Sequence, residues 1–286
     1  MRLACDVIPG FERVEGRWRD CAATWEGSIA VAEDGRVWSF GKIKDHENLK
    51  GIRVDELVGV KEVKNDEAGK EGRIMDTEGG KWKVVAGVQH FVVYNETYAL
   101  GYGDSKKGQL GPSPTPSPSP TLIPSPHNIL QITCGKDFTL ILSPNSQLTL
   151  HTTSTKHPLH SLPASHSIHA ITSSWSTIGC VNTSGHVISW GRSDHGQLPP
   201  THLPYITQLS AGSEHFIGLS STTNTVFTWG WNEHGNCGVD SREDVTFLNP
   251  LSLPPGETPT YVAAGCGTSW IWTDPPPPPK SGVEVS

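Results

Sequence analysis

The side chains that could do chemistry here are histidines, cysteines and loop carboxylates. His151, His157, His160, His166 and His169 crowd into one stretch, and imidazoles that dense can ligate a transition metal. Their spacing is irregular and no acid or thiol stands among them, so no metal site is assigned and no cofactor is expected. The six cysteines, at 5, 21, 134, 180, 237 and 266, show neither C-x-x-C spacing nor a histidine at zinc-finger distance. Reduced, buried thiols in a cytosolic or nuclear protein are expected. The chain has no phosphate-binding Walker loop, no G-x-S-x-G, no H-E-x-x-H and no carboxylate pair at a telling spacing. No catalytic residue is assigned, and the expectation is a protein that is not an enzyme.

Two other histidines carry a different signal. His90 and His215 each close the same five-residue phrase, Ala86-Gly87-Val88-Gln89-His90 and Ala211-Gly212-Ser213-Glu214-His215. The second opens Leu209–Gly238, where apolar runs at Phe216–Leu219 and Val226–Trp229 flank a polar segment, the pattern of a β-hairpin. Its far end, Trp229-Gly230, returns as Trp190-Gly191, Tyr102-Gly103 and Phe40-Gly41. Its continuation, Gly235-Asn236-Cys237-Gly238, returns as Gly108-Gln109-Leu110-Gly111 and Gly196-Gln197-Leu198-Pro199. Looser anchors fall at 23, 134, 173 and 264, which makes six, spaced by 63, 48, 39, 38 and 53 residues. Such periods, carrying strands and glycines rather than helices, mark a propeller or a related array.

In that setting a residue type returning at one repeat position reads as architecture. His90 and His215 are expected to bond the backbone of a neighbouring blade. Trp190 and Trp229 are expected to pack between blades, with Gly191 and Gly230 permitting close approach of the chain. Recognition is expected of the variable tips beyond them: Arg192, Asp194 and His195 around Ser193; Trp231, Asn232, Glu233 and His234; and Asp104–Lys107. Loops on a rigid scaffold are where partners dock, and an exposed Trp231 would anchor an interface.

The totals agree with an all-β chain. Thirty glycines and twenty-three prolines in 286 residues are too many for a helical protein. The net charge of −7 removes the basic field that draws nucleic acid, so direct nucleic-acid binding is not expected. The lysines from Lys42 to Lys83 are interleaved with acids and read as a solvated loop. The start lacks the layout of a signal peptide and no window approaches a membrane span, so no membrane partner is expected.

Taken in order, the chain reads as one propeller domain over 1–272 and a proline-rich tail over 273–286. Strands are expected at Ser28–Ala32 and Arg36–Phe40 around Glu33-Asp34-Gly35, preceded by a lead-in at Val7-Ile8-Pro9. Residues 42–81 form an insertion between strands of one blade. Phe91–Tyr94 and Thr97–Leu100 form the next hairpin, and Phe138–Leu142 with Gln147–His151 a degenerate one. The loop 112–126, PSPTPSPSPTLIPSP, cannot join a sheet ladder. It offers proline-directed phosphorylation at Ser113, Thr115, Ser117 or Ser119. The last apolar run, Ser269–Trp272, precedes Pro275–Pro279, and Met1 begins where an earlier repeat should be finishing. A ring of six or seven blades therefore either closes imperfectly at its N-terminus or lacks its first strand or two.

Ala86–His90, Ala211–His215, Asp34–Gly41 (DGRVWSFG) and Trp190–Leu198 (WGRSDHGQL) together resemble the repeats of the regulator of chromosome condensation family. The resemblance spans about 7–272 and implies a β-propeller, usually of seven blades. Within the family, size and acidity make the chain similar to the fungal alpha-tubulin suppressor branch. That similarity implies a non-enzymatic scaffold supporting Elongator-dependent tRNA wobble-uridine modification and diphthamide synthesis, with a small zinc-binding protein as partner. The alternatives are a guanine-nucleotide exchange factor for a Ran-like small GTPase, and a generic adaptor propeller.

Overall fold

The computed structural model describes residues 17–25, 27–41, 52–53, 82–112, 121–154, 167–200 and 203–275. The lead-in at Val7-Ile8-Pro9, Cys5, most of the 42–81 insertion, the proline-directed serines and threonine, His157, His160, His166 and the tail beyond Pro275 lie outside these residues.

All regular structure here is β, in six antiparallel sheets that follow one another along the chain. Sheet 1 holds β1 (Trp18–Ala23), β2 (Gly27–Ala32), β3 (Arg36–Gly41) and β4 (Ile52–Arg53). Sheet 2 holds β5 (Lys83–Ala86), β6 (His90–Tyr94), β7 (Ala99–Gly103) and β8 (Thr121–Leu122). Sheet 3 has β9 (Gln131–Cys134), β10 (Thr139–Leu142) and β11 (Leu148–His151), and sheet 4 has β12 (Ile168–Ser173), β13 (Thr177–Asn182) and β14 (Val187–Gly191). Sheet 5 holds β15 (Gln208–Ala211), β16 (His215–Ser220), β17 (Thr225–Gly230) and β18 (Val245–Pro250), and sheet 6 β19 (Thr258–Ala264) and β20 (Ser269–Asp274). The first strand of each sheet ends at one of the six anchors, and strands pair with their sequence neighbours throughout.

The core lies between consecutive sheets, which explains the unbroken apolar run in β6. Along a strand, side chains alternate between faces. Phe91 and Val93 pack with Ile29, Val31 and Val37 of sheet 1, whereas Val92 and Tyr94 pack with Ile132, Cys134 and Ile141 of sheet 3. A strand sandwiched on both faces has no polar side to show. Phe138, Leu140 and Leu142 meet Ile171 and Ile178 in the same way across sheets 3 and 4. Ile217 and Leu219 meet Val262 across sheets 5 and 6. Burying side chains of this size stabilises by about 1.5–3 kcal/mol each.

One strand boundary differs from the sequence reading. Thr97 and Tyr98 lie in a turn, because the Asn95 side-chain oxygen accepts both of their backbone N–H groups at 2.8 Å. The strand starts at Ala99 instead.

The cysteines also divide. Cys134, Cys180 and Cys237 are buried, and burial pushes each thiol up to about 12. Cys21 and Cys266 are exposed, contrary to the buried thiols expected: Cys21 lies on the outward face of β1, and Cys266 in the turn between β19 and β20.

Candidate functional site

The site is assembled from the turns joining the first two strands of each sheet. Two residues beyond the anchors stand Trp25, Val88, Lys136, Trp175, Ser213 and Cys266. Their backbones bond from one sheet to the next: Trp25 N–H donates to Val88 O at 3.0 Å, Lys136 to Trp175 O at 2.7 Å, Trp175 to Ser213 O at 2.8 Å, and Ser213 to Cys266 O at 3.1 Å. Each link is made by a peptide group, joined at Ser213 by its hydroxyl, which also donates to Cys266 O, so most side chains at this position are free to vary. All of these residues but Val88 line a common cleft of about 780 Å³.

The recurring histidines hold the turns from behind. Nε2 of His215 lies 3.1 Å from the Ser269 hydroxyl in sheet 6, and Nε2 of His90 lies 3.1 Å from the Thr139 hydroxyl in sheet 3. Each ring thus reaches the following sheet, with a side-chain hydroxyl at the end of the reach. Burial pushes both down to about 4, against a partial upward pull from the Phe138 and Thr268 carbonyls and, for His90, from Asp104. Both are neutral at pH 7.

At the far ends of the hairpins, Gly191 has φ of 132° and Gly230 φ of 106°. A Cβ there would lie 2.4 Å from Ser176 O and 2.7 Å from Glu214 O respectively. The same carbonyls accept the next N–H groups, from Arg192 at 3.1 Å and Trp231 at 2.9 Å. The chain thereby turns off the ladder into each tip. Trp229 is wholly buried, stacks on Phe216 with centroids 5.7 Å apart, and donates its indole N–H to Gln197 O at 3.0 Å in the tip of sheet 4. Trp190 is only half-buried, packed against the cluster between sheets 3 and 4.

The tips are held rigid by buried amides. Gln197 accepts His195 N–H at 2.9 Å and donates to Glu214 Oε2 at 2.9 Å. Glu214 also accepts the Ser176 hydroxyl at 2.9 Å and stands 4.0 Å from Arg192. This carboxylate, which the sequence reading passed over, ties sheets 4 and 5 together. Arg192 pairs with Asp194, and His195 Nδ1 lies 2.9 Å from Asp244 Oδ2.

In the next tip Asn236 stands where the others have Gln, and Asn232 takes over the internal bonding. Asn232 was expected to contact a partner, but it is wholly buried. Its side chain accepts Cys237 N–H at 2.8 Å and donates to Ser241 O at 2.8 Å, leaving nothing for a partner. Its neighbours do face the cleft. Trp231 is half-buried, not fully exposed, and meets the His234 ring edge-on at 4.9 Å; Glu233 and His234 are exposed.

The structure therefore brings Arg192, His195, Trp231, Glu233 and His234 to one cleft and joins to them residues that sequence reasoning missed. Trp25 of sheet 1, 62% exposed, meets Trp175 of sheet 4 edge-on at 5.2 Å. The exposed Lys107 and Lys136 line the cleft as well, with Asp137 beside Lys136. Tip and turn are joined there: Thr153 N–H donates to Lys107 O, and the Thr152 hydroxyl to Asp137 O at 2.8 Å. A usable signal existed for the tryptophans, since Trp25 and Trp175 each stand two residues after a small-residue anchor, Ala23 and Ser173.

Aromatic edges thus stand beside charged side chains in the cleft. Ser176 and His195, the side chains nearest to a nucleophile and a base, are committed to Glu214 and Asp244. Among the described residues no group of three or more His, Cys, Asp or Glu is placed to hold a metal ion, and no helix is long and apolar enough to cross a membrane.

Comparison with known proteins follows the same lines. Sequence profiles of the regulator of chromosome condensation (RCC1) repeat match residues 95–142 and 224–272, and 206–236. An RCC1 repeat-containing protein of Schizosaccharomyces pombe is 31% identical over 281 residues, covering 94% of this chain and 77% of that protein. Among solved structures, Prp20p of Saccharomyces cerevisiae, described with its binding properties to Gsp1p and histones, superposes with a TM-score of 0.68 at 16% identity. The match covers 90% of this chain and 69% of Prp20p. Human WBSCR16 superposes with a TM-score of 0.54 at 14% identity, over 92% and 88% of the two chains. At these identities the structural likeness speaks for the β-propeller fold.

Proposed function

The chain belongs to the regulator of chromosome condensation repeat family, and from that premise we propose that it is a non-enzymatic scaffold that docks a partner protein in the inner-turn cleft. The observation that carries this reading is the convergence of Trp25, Trp175 and Trp231 on one cleft of about 780 Å³. Partly exposed tryptophans on a rigid frame are the residues that dominate interface energies. The frame is rigid because the turns bond to one another through backbone groups and the tips through buried amides.

The finer form of the proposal names the partner as a small zinc-binding protein and places the scaffold in support of tRNA wobble-uridine modification and diphthamide synthesis. Its support is the size and net charge of −7 that the chain shares with that branch of the family. In this role Arg192, Asp194, His195, Trp231, Glu233 and His234 act at the surface. His90, His215, Trp190, Trp229, Gly191 and Gly230 act behind it as architecture.

Affinity capture from cells read by mass spectrometry, with wild type beside Trp25→Ala and Trp231→Ala, tests both levels. Recovery of a small zinc protein that is lost from the variants, with no effect on GTPase nucleotide release, supports the proposal. Recovery of a small GTPase that releases nucleotide faster on addition of this protein sinks it in favour of exchange activity.

A further inference from the structure

Sheet 6 stops where the other five continue. Sheets 1 to 5 each place a third strand beside the second, whereas β20 pairs with β19 alone and its outer edge carries no strand among the described residues. In an antiparallel ladder successive residues turn their N–H and C=O groups to opposite sides. The Thr260 hydroxyl donates to Trp272 O at 3.2 Å from the β19 side, so the backbone groups of Ser269, Ile271 and Thr273 point to the open edge. From Ser269 to Thr273 that edge has neither a charge nor a proline, two of the devices that keep exposed strands from pairing.

The face beside the edge is open as well. Val92 and Tyr94 of β6, Leu140 and Leu142 of β10, and Ile217 and Leu219 of β16 are buried against the sheet that follows. The ladder register sets Trp270 and Trp272 of β20 at the same positions, yet they are 58% and 39% exposed, with Tyr261 of β19 meeting Trp272 edge-on. First strands pack side by side in the series β1, β5, β9, β12, β15 and β19, but no strand of sheet 1 packs in this way on β19 or β20.

The molecule itself shows five times what belongs at such an edge. In sheets 1, 2, 4 and 5 the third strand is an apolar run ending on an aromatic and a glycine. All four aromatic-Gly pairs of the sequence already lie in those strands, and the sole aromatic outside the described residues, Phe11, is followed by Glu12. A second copy has no such strand to lend either. We propose that the β20 edge accepts an extended segment of a partner protein as the third strand of sheet 6, an alternating apolar run ending on an aromatic and a glycine. In the register of β17 on β16, residues like Val226 and Thr228 stand opposite Trp272 and Trp270, and the terminal aromatic faces sheet 5. This surface is the flank of sheet 6, and the inference does not rest on the reading of the cleft.

The probe is a fluorescently labelled peptide copying Thr223–Gly230, the protein's own third strand of sheet 5. Leu251 N–H donates to Val226 O from β17's far side, so the N–H groups of Phe227 and Trp229 are those turned to the second strand. N-methylation of these two residues in the peptide should weaken binding about tenfold or more in fluorescence anisotropy, from two hydrogen bonds lost, whereas N-methylation of Val226 and Thr228 should not. Trp270→Lys, at an exposed side chain, should weaken the unmodified peptide about threefold through the lost cross-strand contact. Trp231→Ala, in the cleft, should leave it unchanged. Thermal melts check that both variants fold.

Amide exchange gives the independent readout. In the free protein the amides of Ser269, Ile271 and Thr273 are expected to exchange faster than those of Trp270 and Trp272, and to slow when the peptide binds. Protection of all five in the free protein at every dilution would assign the edge to a segment of the same chain, and protection lost on dilution would assign it to a second copy. Either result overturns the proposal. So does failure of the peptide to bind, equal weakening by the two methylation patterns, or binding that Trp231→Ala abolishes and Trp270→Lys spares.

Discussion

Lowering the pH from 7.5 to 4 should destabilise this protein through two histidines alone. His90 and His215 are wholly buried and held down to about 4, by burial first, while in the unfolded chain an imidazole titrates near 6.5. Between those values the unfolded state binds protons that the folded state refuses. Stability is therefore complete above about pH 7.5 and is lost as pH falls through 6.5 toward 4. The loss is about 2 kcal/mol per histidine at pH 5 and about 3 kcal/mol at pH 4, from 1.36 kcal/mol per unit of pKa difference. For the pair, about 4 kcal/mol at pH 5 is a large share of the roughly 5–15 kcal/mol that holds a domain together. Urea unfolding at pH 7.5, 6.5, 5.5 and 5.0 measures the slope. His215→Gln retains an N–H that can reach Ser269 and removes the titration, so the slope of the variant should fall by about half. A wild-type stability flat over this range, or an identical slope in the variant, would refute the burial argument.

Neighbouring residues of one tip should separate fold from recognition. Asn232→Ala strands the Cys237 N–H and the Ser241 carbonyl and should cost about 2–3 kcal/mol in urea unfolding. Trp231→Ala should leave the unfolding midpoint nearly unchanged while abolishing capture of the partner. Gly191→Ala places a methyl 2.4 Å from Ser176 O at a φ of 132°, and a destabilisation of about 2–3 kcal/mol is expected by thermal melt. Trp229→Phe keeps the stack on Phe216 but loses the indole bond to Gln197 O; about 1–3 kcal/mol less stability is expected, measured in urea.

The hairpins of sheets 1, 2, 4 and 5 were legible because each joins two apolar runs through a polar turn and ends on an aromatic and a glycine, as β16 and β17 do. The strand at Ala99 was misplaced because the Asn95 side chain competes with the ladder for two N–H groups, a local effect that apolar patterning does not report. Asn232 was misread for a related reason. A polar residue in a tip looks solvated, and only the substitution of Asn236 for the usual Gln hints that some other amide must close the turn. Trp25, Lys136 and Trp175 escaped notice because the position they share is conserved in backbone bonding only. Its side chains, from Trp to Lys to Ser to Cys, have no common type to detect. Glu214 lay inside the repeated phrase, but its bonds to Ser176 and Gln197 join residues distant in sequence.

The central claim, that the inner-turn cleft is where a partner docks, meets its most direct test in hydrogen exchange of the complex with whatever protein is captured. The account predicts added protection in segments 134–137, 173–176, 191–195, 212–214 and 230–234, at the end of the sheets where the inner turns and tips lie. Protection confined to the opposite hairpin ends, 143–147, 182–186 and 220–225, with the inner turns unchanged, would contradict it.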